Sequence, residues 1–272
     1  MTDSAANLPT ELASELGIEI VPMYLKFGDR VYRDGVDLAP ADFYRRLVAD
    51  AEVASTSTPA PADFLEAYQR TGAEEIVCIT VASGMSAANH EASMAAERYN
   101  GRVVVVDSLN ASMAQGFVAV EAARSARSGA GVTEVTRRAQ QVAGMARLMA
   151  TIDTFDFLRR SGRVRKLQAY AATMLDIKPV FRFAQGEVSP VARPRTRRRA
   201  LDRLVQETVA DVGGRPVHLA TIHANAEEEA RTVGEAISRS ADVVEAIITG
   251  VTPVIGAHTG PGLVGTAYFC DA

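Results

Sequence analysis

Three stretches of the 272-residue chain set hydroxyls or an imidazole among glycines and prolines. Such residues can build a site for an anion. Residues 257–265 read AHTGPGLVG, with one imidazole, one hydroxyl and three glycines. Glycine lets the backbone approach a ligand closely, and proline fixes the loop. Apolar runs on both sides predict strands, so His258 is expected in a turn between two strands. The second stretch is Ser83-Gly84-Met85-Ser86, between the apolar run 76–81 and a helical pattern that ends near Tyr99. A strand end beside a helix N-terminus offers free N–H groups and the positive end of the helix dipole. Its serines add neutral donors, although N-capping uses serine in the same place. The third stretch is Ser55-Thr56-Ser57-Thr58, read as a loop before a helix that Pro59 and Pro61 initiate.

Other chemistries have less support. There is no G-x-S-x-G elbow, and no spacing ties a serine to a histidine. A hydrolase or transferase using His258 and a serine is therefore kept only as an alternative reading. Neither G-x-x-x-x-G-K-[ST] nor G-x-G-x-x-G occurs, so no nucleotide motif is present. The four histidines are scattered, and no metal or cofactor is expected. Asp3, Asp107 and Asp153 adjoin apolar runs, as carboxylates beside strands often do. Cys78 and Cys270 read as buried thiols acting as small hydrophobes in a reducing compartment.

Hydrophobic residues make up 47% and charged residues 23% of the chain, the balance of a folded protein and not a disordered one. A net charge of −4 argues against a dedicated binder of nucleic acid or membrane surface. Two basic groups stand out: Arg159, Arg160, Arg163, Arg165 and Lys166, then Arg193, Arg195, Arg197, Arg198 and Arg199. They form either a solvated face or a patch for phosphate or an acidic partner. Without interleaved aromatic residues they point away from nucleic acid. The opening MTDSAANLPTE lacks the features of a secretion signal, and no apolar run approaches a membrane span. A cytoplasmic location is expected.

The chain's length suggests two domains, divided as 1–147 and 148–272. In the first, strands over 18–27, 76–81 and 103–106 alternate with helices. Strands apolar throughout predict a parallel sheet covered on both faces, a three-layer α/β unit. In the second, strands over 178–183 and 187–192 join at Gln185-Gly186, a hairpin signal. With strands at 148–152, 217–222 and 242–248, and helices at 169–175, 197–211 and 227–238, it reads as a two-layer mixed sheet. Its helices are expected on one side.

Several segments taken together resemble the DegV family, which includes the fatty-acid-binding subunit of bacterial fatty acid kinase. They are DSAANLP from Asp3, VPMYLKF with Asp34-Gly35-Val36-Asp37, STSTP from Ser55, SGMS from Ser83 and VVVVDS ending at Ser108. LRRSGRV from Leu158, DIKPVF from Asp176, ARPRTRRRAL from Ala192 and AHTGPGLVG follow. The order holds along nearly the whole chain. The resemblance implies a long-chain fatty acid buried between an N-terminal and a smaller C-terminal α/β domain. It implies a carboxylate held by Ser55, Thr56, Ser57, Ser83, Ser86 and His258. It places Arg163 and Arg195 near a separate kinase that phosphorylates the carboxylate, with no catalysis by this chain and transient membrane contact for lipid exchange. Two departures accompany it. A strand precedes the Asp-Ser in the family, where this chain has only two residues. The family tends to read Ser-Gly-Thr-Tyr where this chain reads Ser86-Ala87-Ala88-Asn89.

Overall fold

A computed structural model describes residues 1–49, 54–161 and 177–271. The chain runs β1 (Thr2–Asp3), one 3-10 turn (Ser4–Ala6), α1 (Thr10–Leu16), β2 (Ile20–Val21), β3 (Tyr24–Phe27) and β4 (Arg30–Arg33). Next come α2 (Pro40–Ala49), β5 (Ser55–Ser57), α3 (Pro61–Thr71), β6 (Glu75–Thr80) and α4 (Ala88–Ala96). Then follow β7 (Arg102–Asp107), α5 (Ser112–Arg127), α6 (Val132–Met145) and β8 (Arg147–Thr151). The remainder is α7 (Asp156–Ser161), β9 (Val180–Ala184), β10 (Glu187–Ala192), α8 (Arg197–Val212) and β11 (Val217–His223). It ends with α9 (Glu227–Ser238), β12 (Val243–Gly250), α10 (Pro253–Thr259) and β13 (Val264–Cys270). The short helix expected over 169–175 lies outside the described residues, as do Arg163, Arg165 and Lys166.

A four-stranded parallel sheet, ordered β2-β1-β6-β7, has α3 and α4 on one face and α5 and α6 on the other. A six-stranded mixed sheet is ordered β10-β9-β8-β13-β11-β12. Helices α8 and α9 cover one of its faces, as expected, and the other rests on α5. The sequence reading is right about the α/β class and about the parallel and mixed sheets. Gln185 and Gly186 both have positive φ (51° and 75°), the backbone of the two-residue hairpin turn read from sequence. Cys78 and Cys270 are buried free thiols. No helix among the described residues is long and apolar enough to cross a membrane.

Three local expectations fail. Residues 18–27 are not one strand. Pro22 has no N–H to donate, and pairing stops there. Val21 therefore closes β2 in the parallel sheet, while Tyr24 opens β3 in a separate three-stranded sheet, β4-β3-β5. Residues 55–57 are not a loop but the strand β5, antiparallel to β3. The short opening segment does form a strand that includes Asp3, since Thr2–Asp3 pairs with both β2 and β6. His258 is not in a turn between two strands but in the last turn of α10.

Helix α5 joins the two larger sheets. Its residues from Ser112 to Ala122 are all buried, because alanine, glycine and valine on every side let a sheet approach each face. A helix apolar all round belongs in a core. Gly116 sits where an added Cβ would lie 2.9 Å from the Ala6 carbonyl. Phe117, fully buried, meets Phe269 of β13 edge to face at 5.3 Å. Burying such a ring contributes about 2–3 kcal/mol.

Candidate functional site

Helix α10 begins with Pro253 at its first position, where the missing N–H costs nothing. Thr252 precedes it without a side-chain cap. The cap comes from elsewhere. The buried Asp34 accepts a hydrogen bond from the Val254 N–H at 3.0 Å and one from the Ser4 hydroxyl at 2.7 Å. Ser4 Oγ in turn accepts from the Met23 N–H at 3.0 Å. Burial pushes the Asp34 carboxyl above its usual range, with bonds from Ser4, Thr252 and Val254 acting the other way. Gly256 then sets the depth of the helix. A Cβ there would stand 2.6 Å from the Tyr44 hydroxyl and 2.8 Å from Phe43. Gly260 ends the helix with φ 73°, and a Cβ would run into the Phe157 ring. These contacts fix the position of His258, two residues after Gly256.

The three-stranded sheet supplies the facing hydroxyl. Strand alternation puts Thr56 on the face it shares with its partner Leu25, which is fully buried, and Ser55 on the exposed face opposite Lys26. Thr56 Oγ1 lies 2.9 Å from His258 Nε2. A half-open cavity of about 520 Å³ lies at this contact, lined by Thr56, Ser57, Thr58, Ser83, Ser86 and His258, among others. Among the described residues, no Asp, Glu, Lys or Arg lines it. Five of the six residues expected to hold a carboxylate thus meet here. Ser55 does not line the cavity. Arg195 is exposed and lines neither this cavity nor the one beneath it.

The two serines of the second loop differ in role. Ser86 Oγ accepts from the Ala88 N–H at 3.2 Å, so it caps the start of α4 and keeps its own O–H as a donor. Ser83 is exposed at the mouth, and its N–H donates to the Asp107 carboxylate at 3.2 Å. The loop therefore supplies its hydroxyls more than its backbone N–H groups. Ala87 lines the mouth and Ala88 is fully buried beneath it. Asn89, where the family tends to carry tyrosine, donates to Thr80 Oγ1 at 3.0 Å.

A second, narrower cavity of about 80 Å³ adjoins the first. Met85, Ala111, Ile255 and His258 line both. Beyond them Leu148, Leu158, Phe181, Phe183 and Leu263 close it, and apolar atoms form its whole surface. The arrangement is a neutral polar mouth over an apolar pocket, which fits an amphiphile with a small anionic or hydrogen-bonding head.

Sequence reasoning missed the residues that hold the mouth in place. Asp34 stands out in the sequence only within the segment Asp34-Gly35-Val36-Asp37. Asp3 was only one of three carboxylates beside apolar runs. It is fully buried and accepts from the N–H groups of Ala5 (3.0 Å) and Val81 (2.8 Å) and from the Gln115 amide (3.0 Å). Burial raises its carboxyl to about 6 against the pull of those three donors. Asp3 thus ties the first turn to the end of β6, just ahead of Ser83. Gln115 on α5 was the available signal, because a lone amide within the apolar stretch Met113–Val120 demands a polar partner.

The fold and site together define a three-sheet α/β protein whose neutral, hydroxyl-lined mouth adjoins an apolar pocket. The chain matches the family model described as uncharacterised protein, DegV family, over residues 1–271, and it belongs to that family. It is 34% identical over 269 residues to a DegV domain-containing protein of Streptomyces coelicolor, covering 97% of this chain and 95% of that one. Against protein DegV of Bacillus subtilis the identity is 30% over 273 residues, covering 98% and 97%. Two solved structures share the fold. One shows fatty acid binding of a DegV family protein from Thermus thermophilus, with TM-score 0.93, 27% identity and coverage of 99% and 98%. The other is DegV of Bacillus subtilis, described as a fatty acid binding protein, with TM-score 0.90, 28% identity and the same coverage.

Proposed function

We propose that this protein binds a long-chain fatty acid between two domains, 1–147 and 148–272, and presents its carboxylate to a separate kinase. One observation carries the reading: the neutral mouth and the apolar pocket adjoin and share Met85, Ala111, Ile255 and His258 as walls. The chain belongs in the pocket, where each buried methylene contributes about 0.8 kcal/mol before the costs of association. The carboxylate belongs at the mouth. A carboxylate leaving water needs donors, and Thr56, Ser57, Ser83, Ser86 and His258 supply them. The fatty-acid-binding relatives of the same fold support the choice of ligand. Phosphoryl transfer to the carboxylate would give an acyl phosphate, with the kinase bringing the nucleotide, and this chain would need no cofactor and do no catalysis. Arg163 and Arg195 would meet the kinase, and membrane contact for lipid exchange would be transient.

Mass spectrometry of ligand extracted from native protein tests the reading. A fatty acid in the extract, or uptake of labelled fatty acid by stripped protein, is the expected result. Protein that is empty and takes up none contradicts it. The Thr56–His258 contact favours one other reading, a hydroxyl–imidazole dyad that cleaves acyl esters. It requires turnover of an acyl ester by the protein alone, lost in Thr56→Val.

A further inference from the structure

The turn between α4 and β7 carries the dipeptide Asn100-Gly101, and both residues are exposed. Its flanks are pinned. The Tyr99 hydroxyl donates to the Ala73 carbonyl at 2.6 Å, and its ring meets Tyr68 edge to face at 5.8 Å. The Arg102 N–H donates to the Glu74 carbonyl at 2.8 Å, and Arg102 opens the β6–β7 ladder opposite Glu75. Between these anchors, neither the Asn100 carboxamide nor the Gly101 N–H has a hydrogen-bond partner among the described residues. Packing also dictates the glycine. A Cβ at 101 would stand 2.7 Å from the Glu74 carbonyl oxygen and 2.7 Å from the Tyr99 ring. A glycine after an asparagine leaves its own nitrogen open to the carboxamide, because no Cβ shields it. The other asparagines are placed differently. Asn7 and Asn110 are buried, the Asn89 amide donates to Thr80, and Asn225 precedes Ala226.

We infer that Asn100 is a site of spontaneous covalent modification, deamidating to aspartate and isoaspartate without an enzyme or cofactor. The Gly101 nitrogen attacks the side-chain carbonyl carbon of Asn100. A C–N bond forms, the proton of the attacking nitrogen passes through solvent to the departing amide nitrogen, and ammonia leaves. The resulting succinimide takes up a water molecule. Opening at the side-chain carbonyl gives aspartate. Opening at the main-chain carbonyl gives isoaspartate, whose backbone is longer by a methylene. Either product adds a negative charge to the turn, and isoaspartate shifts Gly101 from its seat against Glu74. The turn adjoins the start of β6, whereas Ser83 follows the end of that strand, so ligand binding plays no part in the reaction.

Peptide mass spectrometry of the whole folded protein, aged in mildly alkaline buffer at physiological temperature, is the test. The peptide holding residue 100 is expected to gain the mass difference between a carboxyl and a carboxamide and to separate into two species on chromatography. Peptides holding Asn7, Asn89, Asn110 and Asn225 should stay unchanged. The isoaspartyl form should also accept a methyl group from an isoaspartate-directed carboxyl methyltransferase. Asn100→Gln must close a larger ring that forms more slowly, and it should show neither signal. Because the side chain is exposed, this variant keeps the fold. Retention of the amide at residue 100 in aged wild type overturns the assignment, as does conversion of the other asparagines at the same rate.

Discussion

His258 and His218 stand toward the two ends of α5 and show how surroundings assign a role to one residue type. His218 Nδ1 is 2.9 Å from Glu245, its Nε2 is 3.3 Å from Asp271, and its ring stacks on Phe269 at 4.4 Å. Arg124 reaches Glu245 at 2.6 Å and also holds Glu121, which pairs in turn with Arg138. This cluster joins helices α5 and α6 to the mixed sheet, and its charges answer one another. At the other end Thr56 brings a neutral hydroxyl to His258, and no formally charged side chain lines the mouth among the described residues. An imidazole among compensated charges is structural, and one in a neutral, donor-rich mouth is suited to receive an anion.

Four experiments would break or sharpen that contrast. The largest effect is expected from Gly256→Val. Its side chain has no room against Phe43 and Tyr44, so α10 must shift. Fatty-acid affinity by calorimetry should fall on the order of a hundredfold, and urea unfolding should show a loss of about 1–3 kcal/mol. The two histidines should then separate. His258→Ala should weaken binding by roughly 10- to 100-fold with little change in the unfolding midpoint, as expected for hydrogen bonds to a charged group. His218→Ala should lose about 1–3 kcal/mol of stability and leave affinity within about twofold. If each variant moves both quantities alike, the contrast is wrong.

The third experiment concerns Asp3, whose carboxyl is raised to about 6 by burial. Because its folded value lies above the unfolded one, the folded state holds the proton more tightly. Its contribution is present at low pH and is lost as pH rises through about 6. The unfolding free energy of wild type, relative to Asp3→Asn, should therefore decline between roughly pH 4 and 7 by a few kcal/mol. A flat difference would place the Asp3 charge elsewhere in the account. The smallest effect separates neighbours on one strand. Ser55→Ala should leave affinity within about twofold, whereas Thr56→Val should lose about tenfold, since only Thr56 faces His258.

Much of this was legible in the chain. Apolar strands such as 76–81, buried on both faces, announce a parallel sheet, and Gln185-Gly186 announces a hairpin. The hydroxyl stretches and His258 were found because short polar residues between regular elements have few other uses. Two kinds of information were not legible. The local form of a site segment depends on distant partners: β5 exists because β3 offers a free edge, and α10 is held by Asp34 from far along the chain. Strand register was equally hidden, and it turns Ser55 outward and Thr56 inward. Ser112 escaped notice because a serine before an apolar helix reads as part of its start. Only the folded chain shows its hydroxyl buried without a partner.

A crystal structure with palmitate bound tests the central claim most directly. The carboxylate should lie within hydrogen-bond distance of Thr56 and His258, with the alkyl chain passing Met85 and Ile255 to end among Leu148, Phe181 and Leu263. A ligand bound with its carboxylate in the apolar pocket, or seated elsewhere on the molecule, would contradict it.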